Sequence, residues 1–116
     1  MTVNILLVED DEMVRFTTAE LLRDGGHNVL EAASAERAMA ILRGSAIDAL
    51  VTDVGLPGMS GEVFAAEARA IQPALRIVFA TGLDRIPDSG EDGGPVLLRK
   101  PFDADTLEAA LKAARS

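Results

Sequence analysis

Four short islands of this chain carry side chains that could act together: Glu9-Asp10, Asp53, Thr81 and Lys100-Pro101, each following an apolar run. Each island falls where a β-strand is expected to end. Carboxylates gathered at strand ends repel one another, so either one keeps its proton or a cation neutralises them. An all-oxygen set without Cys or His favours Mg²⁺, Mn²⁺ or Ca²⁺ over zinc. Mg²⁺ commonly uses one or two carboxylates together with a phosphoryl oxygen, which leaves a further carboxylate free to act as a nucleophile. A hydroxyl and an ammonium nearby, from Thr81 and Lys100, suit a phosphoryl group.

The elements that must position these residues alternate along the chain. Residues 3–8, 49–51, 77–80 and 96–98 read as strands, and Val29-Leu30 belongs to a shorter one. Their continuous apolar character suits strands buried on both faces, as in a parallel sheet. Between them Val14, Thr18, Leu21 and Leu22 share a helix face, and Ala35, Ala38, Met39 and Leu42 share another. Phe64, Ala68 and Ile71 form a third face, and Leu107, Ala110, Leu111 and Ala114 a last one. Gly25-Gly26, Gly44 and Pro73 close the first three helices, and Ser34 is a suitable N-cap. Asp105 has the spacing of a capping box with Glu108, and Asp103 is the alternative cap. Five strands with intervening helices predict an α/β doubly wound sheet with right-handed crossovers. In such a sheet ligands bind beyond the carboxyl ends of the strands, where all four islands fall.

One segment breaks the alternation. Residues 82–95 hold four Gly, two Pro and four acids, with Leu83 and Ile86 the only large apolar side chains. Such a stretch buries too little surface to offset its ordering entropy. The expectation is a degenerate fourth helix of at most one turn, with a mobile loop around it.

Composition narrows the function classes. The 116 residues fit one domain, residues 1–116, large enough for a core without staples. A net charge of −8, from 11 basic and 19 acidic residues, argues against direct nucleic-acid binding, which needs a basic footprint. No apolar run approaches the length of a membrane span. The first residues lack a basic n-region and meet acid at Glu9, which argues against a signal peptide. There is no Cys, hence no disulfide framework, and a cytoplasmic location is expected.

Taken in order, Ile5-Leu6-Leu7-Val8-Glu9-Asp10-Asp11, the run from Leu50 through Asp53 and Pro57 to Gly61, Ala80-Thr81-Gly82 and Arg99-Lys100-Pro101-Phe102 resemble a response-regulator receiver domain of two-component signalling. Singly each island has an ordinary reading. Asp53 could cap the turn before Pro57, Thr81-Gly82 could be a plain turn, and Lys100-Pro101 a strand end. Four together and in order are specific. The resemblance implies a flavodoxin-like five-stranded parallel sheet of order 2-1-3-4-5.

It further implies that Asp53 is the phosphoryl acceptor and that Asp10 binds Mg²⁺ (or Mn²⁺) directly, with Glu9 reaching it through water or at longer range. The Gly55 carbonyl would be a further ligand, Thr81 would hydrogen-bond the phosphoryl group, and Lys100, followed by Pro101 in a cis bond, would pair with it. The donor would be a histidine kinase or phosphotransfer protein, and the receiver of the signal an unknown downstream protein. Catalysis would be confined to the domain's own phosphorylation and dephosphorylation. A stand-alone regulator, a receiver segment of a hybrid histidine kinase, and a pseudo-receiver binding module all share this pattern. A haloacid-dehalogenase-like phosphatase would want a second Asp at position 55, where Gly stands.

The pattern also departs from the family. Many receivers have Tyr or Phe three residues before the Lys, and here that residue is Leu97. Phe79-Ala80-Thr81-Gly82-Leu83 is similar to a subgroup, often single-domain, with the motif Phe-Ala-Thr-Gly-hydrophobic-Tyr, but Asp84 takes the Tyr place. Gly55 and Leu83 offer no side-chain hydrogen bond to an attacking water, so a long-lived phosphorylated state is expected. Asp11 and Glu12 read as solvated first-turn residues, His27 as an exposed loop residue, and Phe16, Phe64 and Phe102 as packing residues.

Overall fold

Strand and helix alternate through the computed structural model, which describes residues 3–53, 55–56, 59–81, 96–99 and 103–113. In chain order the elements are β1 (Asn4–Val8), α1 (Glu12–Asp24), β2 (Asn28–Ala32), α2 (Ala35–Gly44), β3 (Ala49–Thr52), α3 (Gly61–Ile71), β4 (Arg76–Thr81), β5 (Val96–Arg99) and α4 (Ala104–Ala113). The five strands form one sheet of order β2-β1-β3-β4-β5, and all pairs are parallel. This is the doubly wound, flavodoxin-like order expected from the resemblance. The expected degenerate helix of residues 82–95 lies outside the described residues, as do Lys100, Pro101 and Phe102.

Alternation along the strands splits the core into two halves. Leu6, Val8, Leu50, Ile77 and Phe79 face one side, where they pack with Ala38, Leu42, Phe64 and Ala68 of α2 and α3. Ile5, Leu7, Val51, Val78 and Ala80 face the other, with Leu22 of α1 and Leu107 and Leu111 of α4. Both halves bury β1 and β3 completely apart from Asn4, so these two strands are rigid supports for whatever follows them. β2 is an edge strand in which only Val29 and Ala32 are buried, which explains why its apolar signal is short.

Most helix boundaries follow local chemistry. Ser34 and Ser60 cap α2 and α3 by accepting from the N–H groups of Arg37 and Val63. For α4 the cap is Asp103, whose Oδ1 accepts the Thr106 N–H at 2.8 Å, while Asp105 sits in the first turn. Asp11 is likewise a cap and not a first-turn residue, since its Oδ1 accepts the Val14 N–H at 3.0 Å. Gly25 ends α1, and Gly26 takes a φ of 89°, a left-handed conformation that suits glycine in the tight turn to β2.

Two further expectations fail. Phe16 is 64 % exposed, because the buried stripe of α1 consists of Thr18, Ala19 and Leu22 and leaves position 16 outside it. His27 is not an exposed loop residue: only 6 % of its side chain is accessible, and Nε2 lies 2.8 Å from Oε2 of Glu108 on α4. Among the described residues no helix is long and apolar enough to cross a membrane.

Candidate functional site

Register sets the site. Val8 pairs with both Ala32 and Thr52, so β1, β2 and β3 end level with one another. The ladder runs one residue further on each side of β1. Glu9 N–H donates to the Ala32 carbonyl at 3.1 Å, and Asp53 N–H donates to the Val8 carbonyl at 3.2 Å. Two acids are thereby held in one row at the carboxyl end of the central strands. Asp10 follows Glu9 as the chain leaves the sheet, and it is exposed.

The carboxylates of Glu9, Asp10 and Asp53 each offer an oxygen, and these oxygens all lie within 4.8 Å of one another. Three anionic groups so close repel one another, and a divalent cation is the simplest way to offset that repulsion. The donor set is all oxygen, which fits a hard cation.

Local bonds orient each acid. Glu9 is only 4 % exposed, and its Oε2 accepts the Asp11 N–H at 3.1 Å. Asp53 is half-buried, and its Oδ1 accepts the Gly55 N–H at 3.0 Å. Thr52, fully buried, donates its hydroxyl to the Asp53 carbonyl at 3.1 Å. Gly55 itself is exposed, and a Cβ placed on it would meet nothing within 4 Å.

The structure therefore brings Glu9, Asp10, Asp53 and Gly55 together at one strand end. Thr81 is the last residue of β4, and its backbone pairs with Arg99 of β5. That places it on the same carboxyl side of the sheet. Lys100, one residue past the end of β5, lies outside the described residues.

Sequence reasoning missed one residue here. Arg15 Nη1 donates to the Glu9 carbonyl at 2.9 Å, and no local signal marks that bond. The capping role of Asp11 was more accessible, since an acid three residues before an apolar helix position is an N-cap pattern.

A family model for the response regulator receiver domain matches residues 5–112. The chain belongs to that family. The receiver is 30% identical over 115 residues to sporulation initiation phosphotransferase F of Bacillus subtilis, with 97% of this chain and 93% of that protein covered. It is 34% identical over 110 residues to response regulator protein FleR of Pseudomonas aeruginosa, where 92% of this chain covers 23% of the relative. Among solved structures, the receiver domain of the hybrid histidine kinase CckA superposes with a TM-score of 0.80 at 36% identity, over 94% of this chain and 95% of that one. Relatives thus include a protein of about the receiver's own length and much longer ones. The subgroup marked by the Phe-Ala-Thr-Gly motif is not distinguished by these matches.

Proposed function

We propose that this receiver takes a phosphoryl group from a phosphohistidine onto Asp53 and signals by a change of conformation, acting in the cytoplasm. The observation that carries the reading is the convergence of the Glu9, Asp10 and Asp53 carboxylates within 4.8 Å at the ends of two central strands. An Asp53 oxygen attacks phosphorus in line with the leaving imidazole. The new P–O bond makes an acyl phosphate, the P–N bond breaks, and its electron pair stays on the histidine nitrogen.

Each residue has a separable part. The Gly55 N–H on Oδ1 limits rotation of the Asp53 carboxylate and so helps hold the attacking geometry. Glu9, Asp10, Asp53 and the Gly55 carbonyl would hold Mg²⁺ or Mn²⁺, whose chemistry there is neutralisation of the phosphoryl oxygens. Thr81 donates its hydroxyl to the transferred group and Lys100 pairs with it. The donor is a histidine kinase or phosphotransfer protein, and a downstream protein reads the altered surface. With Gly at position 55 and Leu at 83, no side chain there positions a water, so the aspartyl phosphate is long-lived.

A receiver segment within a hybrid kinase is a second reading. Its support is the likeness to the CckA receiver at 36% identity. The acceptor chemistry is the same in both.

Acetyl phosphate with Mg²⁺, followed by intact-mass measurement, tests the acceptor. One phosphoryl mass is expected, lost with EDTA and lost in Asp53→Asn. Equal labelling of Asp53→Asn overturns the assignment.

A further inference from the structure

We infer that Arg15 is a positioning residue for the carboxylate cluster, strapping the Glu9–Asp10 peptide to β2 so that Asp10 keeps its direction. The inference rests on the proposed metal-assisted reading of the site and names a residue outside its ligand set.

Among the described residues, three hydrogen bonds hold Glu9. Its N–H donates to the Ala32 carbonyl at 3.1 Å, its Oε2 accepts the Asp11 N–H at 3.1 Å, and its carbonyl accepts from Arg15 Nη1 at 2.9 Å. The first two bonds belong to the ladder and the turn. The third comes from a helix and reaches the peptide that carries Asp10. With the Asp11 N–H on Glu9 Oε2 fixing the far side of Asp10, the orientation of the Glu9–Asp10 peptide sets where the exposed Asp10 carboxylate points.

Arg15 is itself held. Its Nε lies 3.5 Å from Oε1 of Glu31 on β2, and the two side chains are 19 % and 31 % exposed, so the pair is partly buried. Glu31 Oε2 in turn accepts from Arg23 Nη2 at 3.1 Å, and the same Nη2 donates to the Val29 carbonyl at 3.1 Å. Two arginines of α1 therefore bracket one glutamate of the edge strand. The guanidinium of Arg15 donates through Nη1 to a carbonyl while its Nε side faces a carboxylate, which the compact ammonium of Lys does not reproduce. An outer partner of this kind orients a ligand without touching the ion.

Calorimetric titration with Mn²⁺ alone tests the inference on the full chain, beside thermal melts that confirm folding. Arg15→Ala is expected to weaken Mn²⁺ binding by about tenfold or more, the usual cost of losing such a partner. Arg15→Lys should recover only part of that loss. Glu31→Gln should shift affinity the same way by less. At saturating Mn²⁺ the phosphorylation rate of Arg15→Ala should return towards wild type, which separates positioning from general damage. Wild-type affinity in folded Arg15→Ala overturns the inference; if that variant does not fold, wild-type affinity in Glu31→Gln overturns it. Labelling of Asp53 in the unaltered protein is read separately. Its absence sinks the phosphoacceptor reading, whereas an unchanged Mn²⁺ affinity in Arg15→Ala sinks the strap alone.

Discussion

At the carboxyl end of the sheet, Glu9, Asp10 and Asp53 crowd like charges within 4.8 Å, whereas at the amino end polar side chains meet partners of complementary kind. There His27 Nε2 faces both oxygens of Glu108 at 2.9 and 2.8 Å, and Asp48 Oδ2 accepts the Asn4 N–H at 2.8 Å. Gln72 accepts the Ile47 N–H and donates to the carbonyls of Leu42 and Ser45. Both ends close the same strands with the same two half-cores beneath them. The difference lies in what the polar groups are for. Complementary pairs at the amino end lower the free energy of the fold. At the carboxyl end three acids also share one small space, an arrangement of oxygens that a hard cation can join.

The comparison predicts opposite responses to deletion. Asp10→Asn should slow phosphorylation with acetyl phosphate and Mg²⁺ by about 10²-fold, the scale of losing one electrostatic stabiliser of a transition state. The same change should leave the metal-free protein as stable as before or up to about 1 kcal/mol more stable, because it removes one of three crowded charges. Urea melts in EDTA check the second half. A clear loss of stability there would mean that Asp10 holds the fold together, and the contrast between the ends would collapse.

His27→Ala should do the reverse. Val3 N–H approaches Nδ1 at 3.4 Å, so Nε2 carries the proton that faces Glu108. Removing the ring leaves a pocket and breaks the link between the α1–β2 turn and α4. A loss of about 1–3 kcal/mol is expected, with phosphorylation of Asp53 unchanged. A variant as stable as wild type would show that the amino end contributes nothing beyond its core.

How far the sequence revealed these two ends differs for a physical reason. Glu9, Asp10 and Asp53 were legible because each follows an apolar run, and parallel strands of similar length bring their ends level. Ala38, Met39 and Leu42 were legible from helical periodicity, and so was Phe64. His27 was not, because its partner Glu108 stands 81 residues away and a Gly-rich turn resembles an exposed loop. Phe16 misled in the other direction. The buried stripe of α1 is made of Thr18, Ala19 and Leu22, and an aromatic side chain one turn earlier need not join it. Arg15 gave no signal at all, since its acceptor is a backbone carbonyl, which carries no residue identity.

Asp103 offers a finer test at the start of α4, the helix that carries Glu108. Its carboxylate sits below the ordinary value of 3.8, chiefly because the Thr106 hydroxyl donates to it and then because the Thr106 N–H does. A folded-state value below the unfolded one means stability that is present above the unfolded value and lost as pH falls through the folded one. Asp103→Ala should therefore lower the melting temperature at neutral pH, and the difference from wild type should shrink once pH drops below 3.8. A difference that does not change with pH would assign the cap's contribution to geometry and not to charge.

The smallest effect concerns Gly25, which touches the amino-end pair directly. A Cβ there would lie 2.6 Å from Oε2 of Glu108, so the carboxylate that contacts His27 must shift to admit it. The backbone itself does not demand glycine, since Gly25 has a φ of −78° in the right-handed helical region. Gly25→Ala should thus combine two opposed terms. Stiffening the unfolded chain stabilises by about 0.4–1 kcal/mol, while displacing Glu108 weakens a hydrogen bond worth about 1 kcal/mol. The net change in the wild-type background is close to zero, which by itself says little. In a Glu108→Ala background the second term is absent, and Gly25→Ala should then be stabilising. Chemical denaturation of the four proteins in this cycle isolates the coupling between the two positions. Additive changes would show that Glu108 shifts without cost, and that the His27–Glu108 contact is not what holds α4 to the turn.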